Sequence, residues 1–408
     1  MRPSHRPSRS RPARRAAVVA GALAAAIPLG ACAEGGDEDR PQCEVEVQAD
    51  HHFFALVSRP QFAEFPTTSN DTTSFEGTLA LQAGCSYELL DSAGTRVSTL
   101  DYALSEEGAL SLLVPGRTTV IFRGGYGRAG DTGHVFLTDR VGSDVGLYWG
   151  TRVVEGPADR AAFAGDWHVF SLHAVFVAPN TPPDPDSVGL AFGGSLELMP
   201  DGSFSGTGVE SEAGSIAISG AADDFQAFAD GRIGMEITFD PTNKPDYQRG
   251  FAAGGTPQAV FGVDGDFGGN DDATGLFVML KQRDPATFDL DDLAGVYRLG
   301  FYTLFLRPDA SGSDSAIGTL ELTANGDFEL IAQNNTGDDF RYRGSFTATP
   351  EGMLEFTVSG TDETWSGAFD AGYDTVVILD RFKETRSNGQ IELSIGLGLR
   401  PSEATSGS

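Results

Sequence analysis

A run of alternating apolar residues that ends in a glycine turn occurs three times along this chain of 408 residues. The copies read GTLALQAG at 77–84, GSLELMPDG at 194–202 and GTLELTANG at 318–326, and the alternation resumes after each turn. Alternate side chains of a strand lie on the same face, and two such runs around an Asn-Gly or Asp-Gly turn are typical of a β-hairpin. The pattern therefore predicts antiparallel sheet, repeated in three related units.

Further landmarks follow each hairpin in the same order. They are a second glycine turn (Gly108, Gly231, Gly352), an apolar run (135–139, 260–264, 376–380) and a Gly-Leu pair in the closing strand (146–147, 275–276, 396–397). Only the turn lengths vary, as expected for related units with tolerant loops. We interpret the chain as three divergent modules at 43–155, 156–287 and 288–401, followed by a disordered tail at 402–408.

Each module offers about eight short strands and no amphipathic helix, which predicts an all-β fold. Three tandem antiparallel modules would result, each a closed barrel or a sandwich. Closing a sheet into a barrel removes the exposed strand edges that otherwise promote aggregation. The alternative is one six-bladed β-propeller, to which each module would supply two four-stranded blades.

The middle module opens with Gly165 and Trp167, ahead of a meander of strands. This Gly-x-Trp opening resembles that of lipocalin-like, or calycin, up-and-down barrels. Gly295 and Tyr297 keep an aromatic version of it, whereas the first module lacks the glycine. The resemblance extends over most of the chain after residue 42 and implies barrels, with Trp167 packed into the closed end of its own barrel.

The first 15 residues contain six arginines and no acid, and an apolar run at 16–29 follows them. This run is too short to span a bilayer, so the segment is typical of a secretory signal. It ends in Leu29-Gly30-Ala31-Cys32, which resembles the lipobox of bacterial lipoproteins. The resemblance implies a signal peptide at 1–31, cleavage before Cys32, palmitate-type acylation of Cys32 and an acidic tether at 32–42. An ordinary signal cleaved near Ala31 is the alternative.

Ala33, not an aspartate, follows that cysteine. By the sorting rule of enteric lipoproteins, this residue implies lipid anchoring in the outer membrane of the bacterial cell envelope. The body could face the periplasm or the cell surface. Export could follow the general secretory or the twin-arginine route, since Arg14-Arg15 precedes the apolar run.

Acidic side chains dominate the composition. The chain has 58 acidic and 28 basic residues, a formal charge of −30, and loss of the six signal-peptide arginines leaves −36. A field of this sign repels nucleic-acid phosphates and anionic lipid headgroups, so we expect no nucleic-acid partner. A salt-adapted or GC-rich proteome would also explain the acidity without a function.

Three cysteines are present. With Cys32 acylated, Cys43 and Cys85 remain, and in an oxidising compartment they predict one disulfide and no odd thiol. Neither is then available as a nucleophile.

No catalytic constellation stands out among the other residues. Five histidines follow the signal (His51, His52, His134, His168, His173), and none forms a His-x-His or His-Glu-x-x-His motif. A Gly-x-Ser-x-Gly elbow, a phosphate-binding loop and a dinucleotide fingerprint are missing too. The sequence therefore predicts a protein that is not an enzyme and needs no cofactor.

One acidic loop could bind Ca²⁺. Its oxygen-bearing side chains are Asp264, Asp266, Asn270 and Asp272, with glycines between them that suit a tight turn. Ca²⁺ prefers such ligands, but the spacing is not that of an EF-hand. A solvated turn is the alternative interpretation.

Three functions fit these features. The first is a membrane-anchored envelope lipoprotein with a structural or binding role and an unknown envelope protein as partner. The second is a lipocalin-like carrier of a small apolar ligand. The third is a glycan-binding or glycan-processing surface protein, which requires Trp or Tyr rings clustered with two acids.

Overall fold

The computed structural model describes residues 43–58, 72–91, 94–116, 119–127, 133–139, 145–153, 159–176, 189–211, 214–228, 231–240, 244–252, 257–264, 272–306, 311–380 and 391–401. In these ranges the chain forms 25 β-strands and three short 3₁₀ turns. The fold is therefore all-β, as the alternating patterns predict. Within the same ranges, no helix has the length and apolar character needed to cross a bilayer.

The first module is a closed antiparallel barrel, barrel 1, in which each strand pairs with the next and the last returns to the first. Its strands are β1 (Ala49–Ser58), β2 (Thr72–Gln82), β3 (Ser86–Asp91), β4 (Arg96–Leu104), β5 (Ala109–Leu113), β6 (Val120–Gly127), β7 (His134–Asp139) and β8 (Val145–Arg152).

The second module, barrel 2, has nine strands. They are β9 (Gly165–Phe176), β10 (Gly189–Leu198), β11 (Phe204–Glu210), β12 (Gly214–Gly220), β13 (Phe225–Ala227), β14 (Arg232–Asp240), β15 (Lys244–Ala252), β16 (Ala259–Asp264) and β17 (Asp272–Lys281). The first half of β14 pairs with β13 and its second half with β12, which completes the ring. Because β12 and β13 together occupy one strand position, barrel 2 has the eight-position layout of barrel 1.

The third module is again a closed eight-stranded barrel, barrel 3. Its strands are β18 (Gly295–Leu306), β19 (Ser311–Leu322), β20 (Asp327–Asn334), β21 (Asp339–Ala348), β22 (Met353–Val358), β23 (Thr364–Phe369), β24 (Thr375–Asp380) and β25 (Ile391–Leu399). Rings of paired strands cannot be propeller blades, which are separate open sheets. The propeller alternative is therefore wrong.

Apolar side chains on one face of each strand fill the barrel interiors. In β20 and β22, for example, buried and exposed side chains alternate along the strand. Each interior is a separate cluster, rich in aromatic rings such as Tyr87 in barrel 1, Phe225 in barrel 2 and Phe356 in barrel 3. Burying one such ring stabilises the fold by about 1.5–3 kcal/mol.

A fourth cluster, the central core, lies between the barrels. It is formed by side chains on the outer faces of strands from all three barrels, among them Phe54, Trp149, Phe170, Phe261, Tyr302 and Leu397, and these six are at most 1% exposed. The strands that contribute most to it are apolar on both faces: every described side chain of β8 but the last is buried. The barrels are therefore fused into one body by a shared interior.

The barrel walls approach each other closely in this body. A Cβ atom added to Gly300 of β18 would lie 2.5 Å from Cδ2 of Phe136 in barrel 1, and one added to Gly125 of β6 would lie 2.5 Å from Cε1 of the same ring. Distances under about 3 Å leave no room for a side chain. Glycine at these positions lets Phe136 fit between barrels 1 and 3.

The three barrels point in the same direction. Arg298, near the start of β18, pairs with Glu107 in the β4–β5 turn at 2.8 Å. The ring of His168, near the start of β9, lies 2.8 Å from the carbonyl oxygen of Glu351 in the β21–β22 turn. The ends at which the first strands begin, called the closed ends here, therefore lie side by side.

An N-terminal arm at 43–48 covers the closed end of barrel 1. A disulfide joins Cys43 to Cys85, which are 42 positions apart in the sequence. The Tyr102 hydroxyl accepts a hydrogen bond from the backbone N–H of Val47 and donates one to its carbonyl. By the chain-entropy estimate, closing a loop of this length stabilises the fold by about 4 kcal/mol.

Candidate functional site

The closed end of barrel 2 is sealed by an aromatic ring and a basic side chain. Trp167 at the start of β9 is fully buried, and its indole N–H donates to the carbonyl of Phe163 in the preceding 3₁₀ turn at 2.7 Å. Lys281 at the end of β17 places Nζ 4.9 Å from the centre of a Trp167 ring and donates to the carbonyl of Ala164. Lys281 therefore combines a cation–π contact with a backbone cap.

Barrel 3 repeats this arrangement with different residues. Arg400, just after β25, lies with its guanidinium carbon 5.0 Å from the ring centre of Tyr297. Its Nη2 donates to the Tyr297 hydroxyl at 2.7 Å and to the carbonyl of Asp292 at 2.8 Å. Burial raises the pKa of Tyr297 well above its usual range, and Arg400 opposes that rise.

In barrel 1 a histidine takes the aromatic position. His51 is fully buried in β1, opposite Arg152 at the end of β8, and its ring meets that of Tyr126 edge-on at 5.6 Å between centres. Burial lowers the pKa of His51 to about 3, with smaller contributions from His134 and Arg152. Each barrel thus has a ring on its first strand and a basic residue at the end of its last.

The basic members of these pairs were not singled out from the sequence. A signal for them exists, because Arg152, Lys281 and Arg400 each follow the Gly-Leu pair of their closing strand by four to six positions. Lys281 and Arg400 satisfy backbone carbonyls and cover rings.

The interior of barrel 1 has a small cavity of about 20 Å³. It is lined by apolar and aromatic side chains, among them Phe53, Leu89, Phe122 and Leu137. A volume of this size accommodates roughly one water molecule. The cavity is thus too small for an apolar ligand of the kind that a carrier would bind.

The tryptophans do not form a sugar-binding platform. Trp149 and Trp167 are fully buried and Trp365 is 6% exposed, with its N–H donated to Glu363 at 2.8 Å. Their ring faces are covered by other side chains, as the contacts of Trp365 with Phe328 and Tyr342 illustrate. The structure gives no support to glycan stacking at the tryptophans.

Two acidic residues, Asp370 and Asp374, lie in the turn between β23 and β24 of barrel 3. One carboxylate oxygen of Asp370 accepts from the backbone N–H groups of Asp374 at 2.9 Å and Thr375 at 3.1 Å. Burial raises the pKa of Asp370 to about 7, and burial also raises that of Asp374, opposed there by Arg400. Because Asp370 is 1% exposed, this pair cannot reach a polymeric substrate.

The histidines are dispersed over the body. His51 and His173 lie on inward faces of their strands, whereas His52, His134 and His168 face neighbouring barrels. Among the described residues, no group of three or more His, Cys, Asp or Glu side chains could hold a metal ion.

Two other predicted sites lie wholly or partly outside the described ranges. Asp264 ends β16 and Asp272 begins the neighbouring β17, but Asp266 and Asn270 between them are not described. Calcium binding by this loop therefore stays a prediction. Cys32, the proposed lipid attachment site, also lies outside the described residues.

Comparisons with known proteins give no family for this chain. No protein-family model matches the sequence, and no curated protein matches it. The chain is similar to a crystal structure of a transferrin binding protein B mutant from Haemophilus parasuis, with 8% identity, a TM-score of 0.30 and coverage of 88% of this chain and 78% of that one. For transferrin binding protein B of Neisseria meningitidis the values are 9%, 0.27, 88% and 78%.

A third solved structure is a DUF3598-family protein of unknown function from Nostoc punctiforme. It is 11% identical, with a TM-score of 0.23 and coverage of 60% of this chain and 99% of that one. The three-barrel architecture described above follows from the strand pairings of this chain and does not depend on any of these similarities.

Proposed function

We propose that this chain is a membrane-anchored envelope lipoprotein with a structural or binding role, and that it acts through the outer surface of its three-barrel body. The observation that supports this most is the packing of the interiors. Aromatic side chains fill all three barrels, and the cavity found in barrel 1 measures about 20 Å³. The outer surface is then the part of the described body available to a partner.

The N-terminal arm supports anchoring at the closed ends. Cys43 is fixed to barrel 1 by its disulfide, and eleven positions separate it from Cys32. A fully extended chain spans about 3.3–3.6 Å per residue, so the tether reaches at most about 40 Å. With Cys32 acylated, the closed ends would face the membrane and the opposite ends would face away from it.

The negative charge of the chain agrees with a role in which the body binds a protein and not the lipid headgroups. After loss of the signal peptide, the formal charge of −36 repels anionic headgroups and nucleic acids. Acyl chains supply membrane affinity without basic residues, since each buried methylene contributes about 0.8 kcal/mol. An envelope protein is the partner that we propose, with sorting to the outer membrane as Ala33 implies.

The experiment for this function combines two assays on the purified chain. A broad panel of hydrolase substrates should show no turnover, because the acid pair at Asp370 is buried. Fluorescent fatty acids and similar apolar probes should not bind stoichiometrically, because the interiors are filled. Robust turnover would overturn the non-enzymatic role, and saturable one-to-one probe binding would favour the carrier.

A further inference from the structure

The contact between barrels 1 and 2 contains an unusual row of polar residues. On the outer face of barrel 1, Thr151 of β8 stands opposite His52 of β1 on one side and His134 of β7 on the other. His134 and Thr151 are each 1% exposed. Among the described residues, neither ring nitrogen of His134 has a hydrogen-bond partner, and the hydroxyl oxygen of Thr151 has none either.

Barrel 2 presents aromatic rings to this row. The Phe251 ring stacks on His52, with 3.9 Å between ring centres, and the Phe261 ring meets His134 edge-on at 5.1 Å. Phe261 also contacts Trp149, which lies one step further along β8 on the same outer face. These rings offer no hydrogen-bond acceptor for a protonated imidazole.

The charged and titratable groups around His134 are mostly basic. Within barrel 1 they are His51, His52, Arg152 and Tyr126, with the exposed carboxylate of Asp50 two positions before His52 on β1. The described side chains of β15, β16 and β17 that face the row are apolar.

Barrel 3 adds two arginines near the adjoining strand β6. They are Arg298, beside Gly125, and Arg400, whose backbone lies beside Gly127. Arg298 is paired with Glu107 and Arg400 is bound to Tyr297. No described carboxylate is therefore placed to neutralise a charge on His134.

A buried charge without a counterion costs several kcal/mol, and a two-state contact then shifts toward the state in which water can reach it. We propose that the contact between barrels 1 and 2 is an acid-sensitive joint, which opens when His134 takes up a proton while the strands of each barrel stay paired. This proposal does not depend on the lipid anchor.

The two buried histidines of barrel 1 differ in the pH at which they take up a proton in the folded chain. Burial lowers the pKa of His134 to about 4 from an ordinary value of 6.5, so the closed joint loses stability as the pH falls below about 6.5. Burial lowers the pKa of His51, inside barrel 1, further to about 3. Protonation of His51 within the closed barrel therefore requires a lower pH than protonation of His134 within the closed joint.

His168 provides an internal contrast at the contact between barrels 2 and 3. One of its ring nitrogens lies 2.8 Å from the carbonyl oxygen of Glu351, and the other lies 3.5 Å from the side-chain amide of Gln282. Burial lowers the pKa of His168, and this carbonyl together with the negative charges of Glu351 and Asp166 opposes that lowering. This histidine has the partners that His134 lacks.

Trp149 supplies a reporter for the test. It is buried in the central core against Phe261, whereas Trp167 and Trp365 lie inside barrels 2 and 3. We expect the tryptophan emission of the full chain to shift to longer wavelength between about pH 6.5 and about pH 4, with acrylamide quenching rising in parallel. The far-UV circular dichroism should stay constant over the same range.

Three variants identify the source of the shift. His134→Phe keeps a ring against Phe261 but cannot be protonated, so the shift should disappear or move down by at least about one pH unit. Trp149→Phe should remove the shift because it removes the reporter. His168→Gln, the matched histidine change at the other contact, should leave the shift in place.

Several results would overturn the proposal. They are an unchanged emission spectrum in the wild type, a shift that persists in His134→Phe, and a loss of circular dichroism together with the shift. If His134→Phe does not fold at neutral pH, the imidazole of His134 is titrated by NMR in the wild type. A value near 6.5 would then contradict a buried, uncompensated histidine.

Discussion

A basic residue occupies an equivalent place at the closed end of each barrel: Arg152, Lys281 and Arg400. Lys281 lies over the Trp167 ring and Arg400 over the Tyr297 ring, whereas Arg152 stands opposite His51. The ring positions could be predicted from the Gly-x-aromatic openings at Trp167 and Tyr297. Their basic partners are more than 100 residues away in the sequence, so only the closed ring of strands brings them together. In barrels 2 and 3 the sequence therefore predicts the ring of each pair but not its basic partner.

Arg400→Met should destabilise the chain by about 2–3 kcal/mol, because a hydrogen bond that involves a charged group typically contributes about 1.5–3 kcal/mol. The variant leaves the carbonyl of Asp292 and the hydroxyl of Tyr297 without their donor. Urea unfolding measures the change. The matched control is Arg341→Met on the exposed face of barrel 3, which should cost much less, because exposed ion pairs contribute little to stability. Equal effects of the two changes would argue against a special role for Arg400.

Asp370→Asn tests the buried carboxyl. Its pKa is about 7 in the folded chain and near 3.8 when unfolded, so the folded state holds the proton more tightly between these values. The stability that Asp370 contributes is therefore complete below about pH 3.8 and lost as the pH rises through about 7. Asparagine can accept the same two backbone hydrogen bonds, since both go to one oxygen.

We expect Asp370→Asn to be more stable than the wild type above about pH 7, by about 2–4 kcal/mol, and to match it at low pH. Thermal unfolding of both chains across this pH range gives the comparison. A constant difference at every pH would show that Asp370 has the same pKa in the folded and the unfolded chain, and would contradict the effect of burial.

The hairpins and their order could be predicted from the sequence. Apolar residues that alternate on both sides of a glycine turn are compatible with few structures other than a β-hairpin. The central core was not predicted, although the sequence carries a signal for it. The runs at 135–139 and 376–380 are apolar without alternation, which is typical of strands buried on both faces. What the pattern could not supply is which barrel covers the second face.

The split of one strand position into β12 and β13 also escaped prediction. A turn at 221–224 interrupts the strand, and the carboxylate of Asp224 accepts from the N–H of Ala221 within it. The sequence there, Ala-Ala-Asp-Asp, reads as an ordinary loop between strands. Only the pairing of β14 with both pieces reveals that they share one place in the ring.

Gly300→Val should weaken the contact between barrels 1 and 3. An added side chain at this position meets the Phe136 ring, and forcing extra atoms into a packed core typically costs about 1–3 kcal/mol. Urea unfolding should show a loss of this size. Gly234→Val on the exposed face of β14, where the nearest atom is 3.9 Å from an added Cβ, should be nearly neutral. A neutral Gly300→Val would mean that the two barrels do not pack as described.

At the scale of the whole molecule, the shared core determines how the barrels unfold. Side chains from all three barrels meet in the central core, so the loss of one barrel exposes apolar surface on the other two. Scanning calorimetry should therefore give one main transition and not three independent ones. Three well-separated transitions would indicate barrels that behave as independent domains.

We propose that this body lies outside the cytoplasm, held by a lipid at Cys32 and presenting its outer surface to a partner. The acidic composition, the disulfide between Cys43 and Cys85 and the filled interiors agree with that placement. The identity of the partner cannot be deduced from the sequence, because recognition by an outer surface leaves no short motif.

Metabolic labelling with an alkyne analogue of palmitate, followed by membrane fractionation, is the direct test of lipid attachment at Cys32. The wild-type chain should be labelled and sediment with membranes, and Cys32→Ser should lose both properties. The matched double variant Cys43→Ser, Cys85→Ser should keep the label, since these residues form the disulfide. An unlabelled, soluble wild-type chain, or a label that persists in Cys32→Ser, would contradict the lipid anchor.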